Sequence, residues 1–232
     1  MMTRTLRILS GGAAQGLVGR LQPAFEQKHG CRIEGTFGAV GTMKDKLLGG
    51  APCDLLILTQ ALIDDLAAKG RADAASVKPV GLVKTGVALK DKHAAVTIGS
   101  KADLKALLQS APAIYFPDPA KATAGIHFFK VLQALGLAGD ASKLKTYPNG
   151  ATAMAALAQA REPDAVGCTQ VTEILVTPGV RLTGLLPPPH ELLTTYTAAA
   201  TTAAEEPELA RALIAALTDS KAAEARSRCG FE

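Results

Sequence analysis

Residues 37–59 read FGAVGTMKDKLLGGAPCDLLILT, and their reading decides the fold. Gly38, Ala39, Val40, Gly41 and Thr42 leave a strand and open a helix expected from about Val40 to Leu48. DLLILT then returns as a short apolar run, which suits a buried strand. Strand, small-residue turn, helix and strand in this order make a crossover unit of a parallel sheet. Such turns often hold anions, yet this one offers almost no side-chain donor.

The pattern extends both ways. TLRILS reads as a strand, Gly11 and Gly12 as a turn, and Leu17, Leu21, Ala24 and Phe25 as one face of a helix capped by Gly30. Pro23 inside that helix is expected to kink it or limit its hydrogen bonding. CRIEGTF alternates like a strand, and ALIDDLAAKG is a helix after the third strand. Three strands alternating with three helices predict a parallel sheet. The pattern then resets at VGLVKTGVALK, an extended segment. After it come helix SKADLKALLQS with Ser100 as N-cap and Asp103 three residues on, strand AIYFPD and helix TAGIHFFKVLQALG. Strand LKTYPN, helix GATAMAALAQA, strand AVGCTQ, short helix VTEIL, extended segments VRLTGLLP and TTYTAAATTA, and a helical stretch from Glu206 to about Arg228 complete the chain. The class is α/β: two lobes of parallel-rich sheet flanked by helices, lobe 1 at 1–84 and 197–232 and lobe 2 inserted at 85–196. Two extended crossovers would form a hinge, with a ligand cleft expected between the lobes.

The composition excludes several classes. The chain has 232 residues, a net charge of +4 and 4% aromatics, with Lys and Arg scattered. That is no stripe for nucleic acid. The apolar runs are too short to span a membrane, so no membrane insertion is expected. Cys31, Cys53, Cys168 and Cys229 form no CxxC pair and read as small buried hydrophobes, so neither a metal nor another cofactor is expected. The start MMTRTLRILSGG carries one Arg at position 4 and no apolar leader core. As written it reads as cytoplasmic; with a leader removed it would be periplasmic.

Four strand-to-helix turns share one design: SGGAAQG at 10–16, FGAVGTM at 37–43, AKATAGIH at 120–127 and PNGATAM at 148–154. A helix N-terminus presents unpaired N–H groups and a partial positive charge, and small residues let a ligand reach them. The expected ligand-binding set is Gly12, Ala13, Ala14, Ala39, Val40, Gly41, Thr42, Thr59, Thr123, Ala124, Gly125, Asn149, Gly150, Ala151, Thr152, Thr169 and Gln170. Small glycine-rich turns are also ordinary in α/β proteins. Gly11-x-Ala13-x-x-Gly16 with Glu34 is a near miss to a dinucleotide fingerprint, but Glu34 falls within its strand rather than at its end.

Taken together, LRILSGGAAQGL, the run FEQKHG to DLLILT, FPDPAKATAGIHFFKVLQALGL and the ending CGFE resemble the molybdate-binding type of solute-binding protein from ABC importers. The resemblance implies the type 2 periplasmic-binding-protein fold, a small anionic ligand and, if the chain is exported, a transporter partner. It also implies a serine donor at each of the first two turns, where Ala13 and Val40 stand, and a tyrosine where Thr169 stands beside Gln170. Ala124 and Ala151 match the remaining backbone donors. Each missing hydrogen bond to a charged group costs about 1.5–3 kcal/mol, so a small organic carboxylate, with more than one carboxyl group, is expected in place of molybdate.

Aconitate isomerase resembles these binding proteins, which keeps a cofactor-independent isomerase of an unsaturated acid open as the alternative. That chemistry needs a proton carrier and carboxylate donors. His127 is the candidate base, in the first turn of a helix whose N-terminus disfavours added positive charge; a packed or surface histidine is the plainer reading. Lys121 would hold a carboxylate or be solvated. Glu173 reads as an acid or a helix-cap partner, Asp118 as the cap of its turn, and His29, His93 and His190 as surface positions. Tyr115 and Tyr196 would line the cleft or pack in the core.

Overall fold

The computed structural model describes residues 4–94 and 96–232. Contacts divide the chain into two compact units, Met1–Val83 with Thr194–Glu232, and Lys84–Leu193. The crossings fall at 83/84 and 193/194, against 84/85 and 196/197 from the sequence. Tyr196 belongs to the first unit because it pairs with Thr59 and its ring meets Phe231 edge-on at 6.4 Å.

In the first unit, β1 (Arg4–Gly11), β2 (Cys31–Gly38) and β3 (Leu55–Thr59) run parallel, with β1 central. β9 (Leu193–Ala200) pairs antiparallel with β3. Helices α1 (Gln15–His29), α2 (Val40–Leu48), α3 (Gln60–Ala68) and α8 (Pro207–Thr218) accompany this sheet. One apolar cluster holds the unit, with Leu6, Leu17, Leu55, Ile57, Ile63 and Leu213 fully buried. α1 runs unbroken through Pro23 and ends on Gly30, whose φ of 59° is the left-handed cap that glycine adopts freely. Ala24, expected on its buried face, is exposed.

β4 (Lys78–Lys90) carries the chain from the first unit into the second, starting two residues before the extended run expected from the sequence. There β7 (Val166–Gln170) and β8 (Val180–Leu185) both pair antiparallel with β4. β5 (Ile114–Pro117) runs parallel to β7 and to β6 (Leu144–Tyr147). Along β4, Val87 and Leu89 enter one apolar cluster and Ala88 another, the two-residue alternation of a strand buried on both faces. α4 (Lys101–Ser110), α5 (Thr123–Ala134), α6 (Gly150–Ala158) and α7 (Val171–Leu175) complete the unit. Ser100 caps α4 as expected: its hydroxyl accepts from Asp103 N–H at 3.2 Å and donates to the Asp103 carboxylate at 2.8 Å. The single C-terminal helix expected from the sequence is instead α8, a 3-10 turn at Ser220–Ala222 and α9 (Ala223–Arg228). The break is Asp219, extended at ψ 147°, whose carboxylate accepts from Lys221 N–H at 2.8 Å.

Candidate functional site

The sheet registers bring the turns together within each unit. Gly11 lies opposite Gly38 across β1 and β2, and Ser10 opposite Ile57 across β1 and β3. The loops after all three strands therefore start at one sheet edge, the carboxyl edge where ligands of parallel α/β sheets sit. A side chain on Gly11 would lie 2.8 Å from the Tyr196 ring and 2.9 Å from Val40, so these three converge. Only glycine fits there.

Gly12–Ala14 form a 3-10 turn that leads into α1, and Ala39 is the N-cap of α2. Neither start has a side-chain cap. Ala39 is extended at φ −62°, ψ 135°, which aims the first amides of α2 past the end of β2. Gly12, Ala13, Ala14, Ala39 and Val40 are buried, whereas Gly41, Thr42 and Thr59 are half-exposed. Thr59 is the N-cap residue of α3, again with no side-chain cap bond. The Ser10 hydroxyl, buried, donates to Gly11 O at 2.9 Å.

In the second unit, Pro117 lies opposite Tyr147 and Tyr115 opposite Gly167, so the turns after β5, β6 and β7 also share one edge. The third turn keeps its helical amides uncapped: Ala122 is the N-cap of α5, extended, with no side-chain bond. Thr123 is half-exposed and Ala124 and Gly125 are buried. Gly125 packs directly on the carbonyls of Pro117 and Asp118. Asp118 caps the preceding turn as expected, accepting from Ala120 N–H at 2.6 Å and Lys121 N–H at 3.1 Å.

The fourth turn differs from the expectation. Asn149 Oδ1 accepts both the N–H and the hydroxyl of Thr152, each at 2.9 Å. The Glu173 carboxylate accepts from the backbone N–H groups of Gly150, Ala151 and Gln170 and from the Thr169 hydroxyl at 2.5 Å. The chain's own groups thus take up the backbone N–H groups of Gly150, Ala151, Thr152 and Gln170 and the hydroxyls of Thr152 and Thr169. Glu173 is 5% exposed; burial pushes its carboxyl up, and the Thr169 hydroxyl and the three amides pull against that shift. It is a helix-cap partner as expected, of its own helix through the N-cap residue Gln170 and of α6 through Gly150 and Ala151.

The proton-carrier expectation also changes. His127 is the fifth residue of α5, beyond the first turn, and its Nε2 lies 2.8 Å from the His190 carbonyl. A carbonyl only accepts, so Nε2 carries the proton and the ring braces the loop at His190. Lys121 is exposed. His190, expected at the surface, is 7% exposed, and burial followed by the charges of Lys101 and His127 lowers its affinity for a proton. His93 is also largely covered, 3.2 Å from Asp164. Tyr115 stacks on Tyr147 in the second unit's core, and Tyr196 lies in the first unit's core beside Gly11.

A pocket of about 620 Å³ is lined by Lys90, Asp91, His93, Ala158, Asp164 and Gly179 among others. It meets α6 at Ala158, the end opposite Gly150, and none of the expected ligand residues lines it. Among the described residues no group of His, Cys, Asp and Glu could hold a metal ion, and no helix is long and apolar enough to cross a membrane. Ser10, at the end of β1 beside the first turn, is absent from the expected set, because a strand alternation reads it equally well as core.

Comparison with known proteins agrees with this architecture. The periplasmic molybdate-binding protein of Azotobacter vinelandii superposes with a TM-score of 0.81 at 17% identity, over 98% of each chain. The substrate-binding protein of an ABC transporter from Agrobacterium tumefaciens gives 0.72 at 14% identity, over 97% of this chain and 78% of that one. The fold is therefore that of the periplasmic binding proteins. In sequence, the chain is 25% identical to an aconitate isomerase of a Pseudomonas species, over 98% of this chain and 87% of the isomerase. The family described as bacterial extracellular solute-binding protein matches residues 6–232, and to that family the chain belongs.

Proposed function

We propose that the chain binds a small organic acid bearing more than one carboxylate, held by backbone N–H groups of helix N-termini. The observation that carries this reading is the set of helix starts with no side-chain cap, at Gly12–Ala14, Ala39–Val40 and Ala122–Thr123. Helix N-termini favour negative charge, and backbone donors bind a carboxylate as well as they bind an oxyanion. Alanine and valine stand where hydroxyl donors to a tetrahedral dianion are expected, which favours the carboxylate. The family's description supports a place outside the cytoplasm, and the Agrobacterium relative supports an ABC transporter as partner.

A second reading has its own support. The 25% identity to an aconitate isomerase spans nearly the whole chain. On that reading the same amides hold an unsaturated tricarboxylate while a proton moves along its allylic system without a cofactor. His127, with Nε2 committed to His190, would have to work through Nδ1.

Both readings are tested with one panel. The protein is melted with citrate, cis-aconitate, trans-aconitate and molybdate in turn, and the aconitates are followed for interconversion. At a hundredfold excess over Kd a ligand adds about 2.7 kcal/mol to stability, a clear rise in Tm. The expected result is a rise with a polycarboxylate and none with molybdate. Interconversion of the aconitates selects the isomerase. A rise with molybdate alone overturns the carboxylate reading.

A further inference from the structure

The buried carboxylate of Glu173 sits where a ligand anion would be expected. Three backbone N–H groups, of Gly150, Ala151 and Gln170, and the Thr169 hydroxyl converge on it. All four are donors, which is the coordination an ionised carboxylate takes. Gly150 has no side chain, and a Cβ there would collide with both the Glu173 carboxylate and the Thr169 hydroxyl. The turn is thus shaped around an acid of this size. Glu173 comes from α7, a different helix from the one whose first amides it satisfies. At the other three turns the N-cap residues are Gly11, Ala39 and Ala122, none of which makes a side-chain cap bond.

We propose that Glu173 is a built-in anion that fills the α6 seat and so determines which ligands the protein accepts. It withdraws one set of oxyanion donors from any guest and places a fixed negative charge beside Thr169 and Gln170. A compact tetrahedral dianion then loses donors and meets a like charge. A carboxylate that needs fewer donors, spread over a larger frame, is retained. This inference rests on the anion-binding reading above and adds a specificity-determining residue to it.

The test removes the occupant and supplies a free one. E173A is compared with the wild type by thermal melting and calorimetry in formate, acetate, chloride, sulfate and molybdate at matched ionic strength. The expected results are a lowered Tm for E173A, recovery of at least half of that loss in formate or acetate but not in chloride, and no such gain for the wild type. Sulfate or molybdate should bind E173A at least tenfold more tightly than the wild type. E173Q fills the seat without the charge, so it should show no rescue by acetate and should still gain affinity for sulfate. That makes it the readout if E173A does not fold. Recovery in chloride equal to that in acetate, or unchanged sulfate and molybdate affinity in both variants, overturns the proposal. Failure of the wild type to bind any polycarboxylate would instead overturn the reading it rests on, while leaving the rescue of E173A interpretable.

Discussion

His190 shows how one residue couples burial to pH. Its ring is buried, Nε2 has no hydrogen-bond partner among the described residues, and Lys101 and His127 add positive charge nearby while Glu191 opposes them. On balance its proton affinity falls below the usual value of 6.5, through burial most of all and then Lys101 and His127. The folded protein then binds fewer protons at this site than the unfolded chain does. Its contribution to stability is complete above 6.5 and is lost as the pH falls below that value towards the folded one. Urea midpoints at about pH 5 and about pH 8 should therefore differ less in H190Q than in the wild type. The sequence did not show this, because PPPHE reads as an exposed loop and nothing in it announces that His127 of α5 will reach the His190 carbonyl. For the same reason His127 read as a proton carrier: residue type was legible, while its partner, 63 positions away, was not.

At the scale of elements, the small-residue turns and their flanking apolar runs place nearly every strand and helix. α2 spans the expected Val40–Leu48, and α7 the expected VTEIL. What could not be read were the contacts that stitch elements distant in sequence. Asp54 is the clearest case. Its carboxylate, buried ahead of β3, accepts from Arg7 N–H on β1 at 2.7 Å and from Glu205 and Glu206 N–H at 2.8 and 3.0 Å. The last two are the amides that lead into α8, so an aspartate 151 residues away anchors the entry to that helix. D54A leaves three part-buried donors without their buried acceptor and should cost about 1.5–3 kcal/mol, read as a lower urea midpoint with an unchanged m-value. The C-terminal helix break was missed for a related reason. Alanine-rich composition predicts a continuous helix, and it takes the Asp219 carboxylate turning onto Lys221 to interrupt it.

For the molecule as a whole, the proposed function depends on which helix starts still have amides to give, and that can be tested at the first residue of each helix. Val40 is the first residue of α2 and Thr123 the first of α5. Proline is accepted at that position because its missing N–H has no partner within the helix. The residues before them already suit a following proline: Ala39 is at ψ 135° and Ala122 at ψ 128°, both extended. V40P and T123P should therefore fold with small changes in Tm, V40P lacking a single amide aimed at the proposed ligand and T123P an amide and a hydroxyl, for which T123V is the control. A hydrogen bond to a charged group is worth about 1.5–3 kcal/mol, so each variant should weaken binding of the polycarboxylate by about tenfold to a hundredfold. A proline at Ala151 in α6 makes the contrast, since that amide already serves Glu173. A151P should lower stability and leave ligand affinity within about threefold of the wild type, a difference of under 1 kcal/mol. If V40P alone weakens binding, the first unit holds the ligand without α5; if neither proline does, backbone recognition is wrong and the donors must be sought among side chains such as Thr42 and Thr59.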